Sequence, residues 1–192
     1  MEKIRCAWAV SAPIYVDYHD NEWGRPVHDD GKLFEMLILE GMQAGLTWVT
    51  VLKKREAFRE AFDGFDPEKV ARYGDAKIQS LMANEKIIRN RLKINAAVNN
   101  AKLFLEIVEK YGSFDRFIWE YVDYTPITGH WTKIEDLPAT TPISDKISKD
   151  LKKMGFKFVG STIIYAFMQA TGMVNDHITE CFAYAEILKS KQ

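Results

Sequence analysis

The segment Ile94-Asn95-Ala96-Ala97-Val98-Asn99-Asn100-Ala101-Lys102-Leu103-Phe104-Leu105-Glu106-Ile107-Val108 decides the fold class. Its apolar residues recur at intervals of three and four, which places them on one face of a long amphipathic helix. That face consists of Ile94, Ala97, Val98, Ala101, Leu105 and Val108. Helical spacing and capping residues predict further helices in 33–38, 46–62, 66–68, 78–82, 113–122, 141–154 and 161–171. Since only Phe156–Val159 alternates, and briefly, we predict an all-α fold.

Helix N-caps are predicted where a short polar side chain precedes a periodic apolar run. These positions are Asp66, Ser113, Thr141, and Ser161 or Thr162. The stretch from Asp123 to Pro138 contains three proline or glycine residues and is predicted to be a long loop. It separates a larger N-terminal and middle region from a C-terminal helical region.

The length of 192 residues fits one domain over residues 1–192, either undivided or made of two helical lobes that share one core. The longest mostly apolar stretch, Ile163–Val174, is shorter than the roughly 18 residues of a membrane span, so we predict a core helix and no membrane partner. The start of the chain has no apolar signal region, and a cytoplasmic location is expected. Because the net charge is −1, any nucleic acid must be bound by a local patch and by backbone amides.

Cysteine and histidine residues near the two ends of the chain form a candidate metal site. His177 and Cys181 are four residues apart, a spacing that puts both side chains on one side of a helix or tight turn. Cys6 and His19 could supply two further ligands, and two thiolates with two imidazoles match a closed tetrahedral zinc site. Such a site leaves no open position for a reactive water, so it would be structural. The alternative is two unrelated cysteines, reduced in the cytoplasm, and two polar histidines.

Aromatic residues are concentrated in the first quarter of the chain, close to one carboxylate. Glu40 follows the apolar run Met36–Leu39, which can carry it into the interior, where a carboxylate needs a partner or a function. A pocket with flat walls and one anionic acceptor would suit a flat cationic heterocycle. The alternative is a solvated Glu40 beside plain core aromatics. The aromatic set is Trp8, Tyr15, Tyr18, Trp23 and Trp48.

Basic residues form two groups that could contact phosphate or simply be solvated on a helix face. The first group lies within Glu85–Lys93 and the second is Lys152, Lys153 and Lys157. In the first group the residues are Lys86, Arg89, Arg91 and Lys93.

Several long motifs in order along nearly the whole chain resemble the 3-methyladenine DNA glycosylase I family of the helix-hairpin-helix superfamily. They are Tyr18-His19-Asp20-Asn21-Glu22-Trp23-Gly24, Glu40-Gly41-Met42-Gln43-Ala44-Gly45-Leu46-Thr47-Trp48, Val51-Leu52-Lys53-Lys54-Arg55, Gly155-Phe156-Lys157-Phe158-Val159-Gly160 and Asn175-Asp176-His177. The resemblance implies a helix-hairpin-helix DNA glycosylase fold whose N- and C-terminal segments are tied by one structural zinc ion per chain. The implied zinc ligands are Cys6, His19, His177 and Cys181.

The resemblance also implies the base and DNA contacts. Gly45-Leu46 would fill the gap left by the flipped nucleotide, with the hairpin around Lys86 to Lys93 and Arg89 and Arg91 on phosphates. Thr47 stands where members often carry serine, and Lys86 and Leu92 stand where some carry glycine, so strain is expected there if the backbone needs a positive φ. The implied base pocket consists of Glu40 as the catalytic residue, with Tyr18, Trp48, Trp8, Tyr15 and Trp23.

The implied activity is hydrolysis of the N-glycosidic bond of 3-methyladenine in alkylated double-stranded DNA, which leaves an abasic site and the free base. No nucleophilic lysine can be assigned, so a monofunctional enzyme is expected. A monomer is expected as well. The rivals are a bifunctional glycosylase and lyase for another damaged base, and a zinc-stabilised helix-hairpin-helix DNA-binding module.

Overall fold

The computed structural model describes residues 3–189, which form ten α-helices and one two-residue pair of strands. The α-helices are α1 Pro13–Asn21, α2 Asp30–Gln43, α3 Trp48–Ala61, α4 Pro67–Val70, α5 Asp75–Ala83, α6 Arg91–Tyr111, α7 Phe114–Trp119, α8 Pro142–Met154, α9 Ser161–Ala170 and α10 Phe182–Lys189. The 3₁₀ helices are Ala7–Val10, Asp63–Phe65, Glu120–Val122 and Ile134–Asp136. The strands are β1 Ile127–Thr128 and β2 Val174–Asn175. The predicted helical fold is confirmed.

Helix α2 lies at the centre of the fold and packs on α3, α6, α7 and α9. Asp29 caps its N-terminus by accepting a hydrogen bond from the backbone N–H of Lys32 at 2.9 Å. From Leu33 onward, nearly every α2 residue is buried, including the last four before Gln43. A helix surrounded on all sides carries its polar residues into the interior with the apolar ones, and Glu40 is buried for this reason.

Three of the predicted N-caps are confirmed. The side chains of Asp66, Ser113 and Thr141 each accept a hydrogen bond from a backbone N–H in the first turn of their helix. The prediction that Ser161 or Thr162 caps α9 is wrong, because the N-cap is Gly160. The Ser161 hydroxyl lies within α9 and donates instead to Asp145 on α8, at 2.5 Å.

The predicted loop from Asp123 to Pro138 is irregular, apart from β1 and the 3₁₀ turn at Ile134–Asp136. β1 pairs with β2 in parallel, with Ile127 opposite Val174. Two residues are too few to show an alternating pattern, so the sequence could not predict this pair. It fixes the loop against the segment Asn175–His177.

The region predicted as the hairpin consists of α5, residues 84–90 and α6. Lys86 and Leu92 both have ordinary negative φ, so the strain expected from their replacing glycine does not arise. Lys93 belongs to the basic group that is predicted either to be solvated or to contact phosphate. For Lys93 this prediction is wrong, because its side chain is buried. Each helix within residues 3–189 is too short or too polar to cross a membrane.

Candidate active site

A cavity opens between α1, the end of α2, the start of α3 and α9. Its volume of about 300 Å³ is at the lower end of the size range of ligand pockets. All six residues predicted for the base pocket line it. They are Trp8, Tyr15, Tyr18, Trp23, Glu40 and Trp48. The remaining lining residues are Gln43, Ile134, Leu137, Ala166 and Gln169. No sequence pattern marks these five, which lie at the end of α2, on α9 and in the irregular loop.

Local helical geometry brings the aromatic residues together. Tyr15 and Tyr18 are three residues apart on α1 and therefore share one side of that helix. Trp8 packs edge-on against Tyr15 and Trp23, with ring centroids 5.4 Å and 5.1 Å apart. Trp48, the first residue of α3, lies 5.7 Å from Tyr18 between ring centroids. The rings hold one another in place, so the cavity has rigid, flat walls.

Glu40 is the acidic group of this cavity and is 3% exposed. Its Oε2 atom is buried and has no hydrogen-bond partner. Burial raises the pKa of the carboxyl group from 4.5 to about 8, because the charged form is poorly solvated there. A buried carboxyl group that has no hydrogen-bond partner within the protein costs stability. Its lack of a partner therefore indicates that a bound ligand supplies one.

Trp48 adds a second unpartnered polar group to the same cavity. Its Nε1 is buried and has no well-aligned acceptor, although it lies near enough to the Tyr18 hydroxyl to lower the pKa of that group slightly. The neighbouring Tyr18 hydroxyl has a pKa well above its usual value, first because it is buried and then because of the nearby Glu40 carboxyl. The cavity therefore offers an acceptor on Glu40 and donors on Trp48 and Tyr18, which suits a flat ligand with donors and acceptors on its edge.

The ligand atoms of Cys6, His19 and Cys181, all buried, lie within 4.8 Å of one another. Cys181 Sγ is 3.4 Å from His19 Nε2, close to the roughly 3.6 Å expected between a sulfur and a nitrogen on one tetrahedral zinc ion. Hydrogen bonding from Cys6 lowers the pKa of Cys181, and the same bond raises that of Cys6. Cys6 therefore carries the proton that is hydrogen-bonded to Cys181, and a metal ion held by both sulfurs would displace that proton to solvent.

His177 lies beside this cluster, on a turn and not on a helix. Its ring centroid is 4.9 Å from that of His19, and its buried Nε2 has no partner. Nδ1 lies 3.0 Å from Asn175 Oδ1, which can only accept, so the proton is on Nδ1 and the Nε2 lone pair is free. His19 Nδ1 is held in the same way by Asp20 Oδ1 at 2.9 Å.

Gly24 of the N-terminal motif permits this arrangement. Its φ is +74°, and a Cβ there would lie 2.6 Å from Cε1 of His177. No other residue could combine this conformation with so close an approach to the histidine ring.

The residues predicted to contact DNA are on the surface. Arg89, Arg91 and Gly45 are exposed, and Leu46 is 41% exposed. Gly45 has a φ of +76° within a tight turn, in which the Leu46 N–H donates to Gln43 O at 2.6 Å.

Lys93 supports this turn, a role that the sequence analysis missed. Its Nζ donates to the carbonyl oxygens of Met42 at 2.8 Å and Ala44 at 2.6 Å. It thereby ties the first turn of α6 to the C-terminal end of α2, where carbonyl groups lack helical partners. No local sequence signal distinguishes Lys93 from its solvated basic neighbours.

Residues 8–184 match the family model described as methyladenine glycosylase. The chain is 49% identical to DNA-3-methyladenine glycosylase 1 of Escherichia coli (strain K12) over 180 residues, which cover 94% of this chain and 96% of that protein. It is 48% identical to DNA-3-methyladenine glycosylase of Haemophilus influenzae over 177 residues, which cover 92% and 96%.

Among solved structures, 3-methyladenine DNA glycosylase I from Staphylococcus aureus, studied for the structural basis of its 3-methyladenine recognition, superposes with a TM-score of 0.90. The two sequences are 40% identical, and the match covers 94% of this chain and 96% of the other. Sequence and fold thus agree over almost the full length, and the chain belongs to the methyladenine glycosylase family.

Proposed function

We propose that this protein is a DNA glycosylase that hydrolyses the N-glycosidic bond of 3-methyladenine in alkylated DNA and leaves an abasic site. Its relatives carry the name of this activity over nearly the whole length of the chain. The observation that carries the proposal is the buried Glu40 carboxyl group, whose Oε2 has no partner in a cavity with aromatic walls. A flat base with an amino group and a positive charge is the ligand that this arrangement fits.

The chemistry of the damaged base explains why one carboxylate is sufficient. Methylation at N3 makes the base cationic, so the bond from its N9 to C1′ of the sugar can break without prior protonation. The electron pair of that bond passes to the base, which leaves as a neutral molecule. Water adds to C1′ of the oxocarbenium-like sugar and releases a proton. A strong general acid is therefore dispensable.

Glu40 acts by favouring the cationic base over neutral bases. In the empty cavity, its raised pKa leaves much of the carboxyl neutral near pH 7. A cation that enters the cavity stabilises the ionised form, so binding and ionisation are coupled. Tyr18 and Trp48 supply flat contact to the base, and Trp8, Tyr15 and Trp23 complete the walls.

A hydrolytic, monofunctional reaction is favoured over a lyase reaction. No lysine is found among the lining residues of the cavity in the described part of the chain. Lys93, which is buried nearby on α6, has its Nζ bound to two carbonyl oxygens. An ammonium group held in this way is not free to attack a sugar carbon.

Double-stranded alkylated DNA would be held by surface groups around the cavity. In the proposed complex, Gly45-Leu46 occupies the gap left by the flipped nucleotide, since the turn is exposed and braced by Lys93. Arg89 and Arg91 contact phosphates near the α5–α6 connection.

The helix pair α8 and α9 fits the helix-hairpin-helix motif as well as α5 and α6 do. These two helices pack closely and are joined by the short segment 155–160, in which Gly155 has a φ of +99°. The first backbone N–H groups of α9 have no partner within the helix and could hold a phosphate there.

The cluster of Cys6, His19 and Cys181, together with the neighbouring His177, is proposed to hold one structural zinc ion. Four soft and borderline ligands fit zinc, and the unpartnered His177 Nε2 supplies the fourth. When bound, zinc cross-links the two terminal segments and leaves no position for a reactive water. The ion would stabilise residues 1–192 as a single glycosylase domain of helical lobes. The monomeric state and the cytoplasmic location stay predictions.

The activity can be separated from its rivals on methylated duplex DNA. The purified protein should produce alkali-sensitive abasic sites without direct strand breaks, and borohydride should trap no covalent complex. Trapping would identify a bifunctional lyase. Binding to the duplex without formation of abasic sites would identify a DNA-binding module and refute the proposed function.

A further inference from the structure

Gln169 on α9 lines the base cavity and is held from behind by a buried carboxylate. Its Nε2 donates to Asp176 Oδ2 at 3.0 Å. Asp176 is 3% exposed and also accepts from the Trp131 indole at 2.7 Å and from the Tyr165 hydroxyl. Three donors therefore converge on one carboxylate that lies just outside the cavity.

This network fixes the direction in which the Gln169 amide points. The oxygens of a carboxylate accept hydrogen bonds, so the amide nitrogen of Gln169 must face Asp176 and the amide oxygen must face away. The indole of Trp131 can only donate, which keeps Oδ1 of Asp176 an acceptor. No hydrogen bond to Gln169 Oε1 is found within residues 3–189.

We propose that Gln169 is a specificity-determining residue of the base cavity, in which its fixed Oε1 accepts from the 6-amino group of adenine-type bases and repels the 6-oxo group of guanine- and hypoxanthine-type bases. The proposal rests on the proposed function, and Asp176 acts in it as a positioning residue. A free amide could rotate by half a turn and donate to an oxo group, but the bond to Asp176 prevents this rotation.

Gln169 and Glu40 then divide the recognition of the base. Glu40 favours positive charge, which methylation supplies to adenine and guanine alike, so it separates damaged from undamaged bases. Gln169 discriminates adenine-type bases from guanine-type bases. Its Oε1 would face the 6-oxo oxygen of a guanine-type base, where it would find no donor and would be repelled by the second oxygen. Loss of one neutral hydrogen bond weakens binding by roughly five- to tenfold, and an unpaired buried acceptor adds to that difference.

Equilibrium titration of the purified full chain with free 3-methyladenine and with 3-methylhypoxanthine, its 6-oxo analogue, tests the proposal. The wild type should prefer 3-methyladenine. Gln169→Leu keeps the side chain's approximate size but removes the amide, so this preference should fall by about tenfold, chiefly through weaker binding of 3-methyladenine. Asp176→Asn, which lets the amide rotate, should lower the preference as well, chiefly by improving binding of the 6-oxo base.

Glu106→Gln, an exposed change on α6, is the matched control and should retain the wild-type preference. Circular dichroism and thermal unfolding confirm that each variant is folded, and the ratio of the two affinities is independent of the active fraction. A folded Gln169→Leu variant with an unchanged ratio would overturn the specificity role while the glycosylase function stands. A wild type that binds neither base would overturn both.

Discussion

Glu40→Gln should make the protein more stable at alkaline pH while it weakens cation binding. The fold raises the pKa of the Glu40 carboxyl from 4.5 to about 8, by burial. One pKa unit corresponds to about 1.4 kcal/mol, so keeping Glu40 ionised in the empty cavity costs roughly 5 kcal/mol. Glutamine has nearly the same shape and carries no charge. The variant therefore avoids this cost and also lacks the anion that attracts the base.

The sign of the pH dependence follows from the raised pKa. A neutral Glu40 is compatible with the fold below about pH 4.5, and stability is then lost as the pH rises to about 8. Denaturant unfolding of wild type, Glu40→Gln and the control Glu106→Gln should be measured from about pH 5 to about pH 9. We expect the stability advantage of Glu40→Gln over wild type to grow by roughly 3–5 kcal/mol across that range. Titrations at the metal cluster affect all three proteins and cancel in the comparison.

Binding of a permanently charged base provides the second half of this test. The affinity of wild type for the 3,9-dimethyladeninium cation should rise up to tenfold per pH unit until about pH 8 and then level off. The Glu40→Gln variant should bind weakly at every pH. Parallel pH profiles of stability and of affinity in wild type and variant would refute the assignment of Glu40 as the buried anion that reads the base.

The other predictions concern the metal, the DNA surface and the α2–α3 turn. Purified protein should contain about one zinc ion per chain by elemental analysis, and Cys181→Ser should lose the ion and stability together; a zinc-free protein with full stability and activity would refute the site. Arg89→Ala should weaken binding of damaged and undamaged DNA about equally and make the salt dependence shallower; in filter binding, a loss confined to damaged DNA would argue against a phosphate contact. Lys93→Met leaves one buried and one half-buried carbonyl group unpaired and should cost about 1–3 kcal/mol of unfolding free energy; unchanged stability would mean that water replaces the ammonium group.

The parts of the site that sequence could predict are those with a local signal. The helical period and the capping residues Asp66, Ser113 and Thr141 are local, and they predicted the helices. The burial of Glu40 followed from the apolar run before it on α2, whose whole circumference is covered by other helices.

The contacts that could not be predicted join distant segments. Lys93 and Arg89 are both basic residues in the same segment of the sequence. Lys93 hydrogen-bonds to the C-terminal end of α2, whereas Arg89 is exposed. The bond between Gln169 and Asp176 depends on the turn after α9, and the β1–β2 pair is too short to leave a pattern. Ser161 has the chemistry of an N-cap, and only the position of Asp145 on the neighbouring helix shows why it is not one.

Chromatography of the bases that purified protein releases from methylated duplex DNA tests the proposed activity most directly. Wild type and Glu106→Gln should release free 3-methyladenine, and folded Glu40→Gln should release it much more slowly. Release of 3-methyladenine by Glu40→Gln at the wild-type rate, or no release by the wild type, would contradict the proposed function of Glu40 and of the cavity.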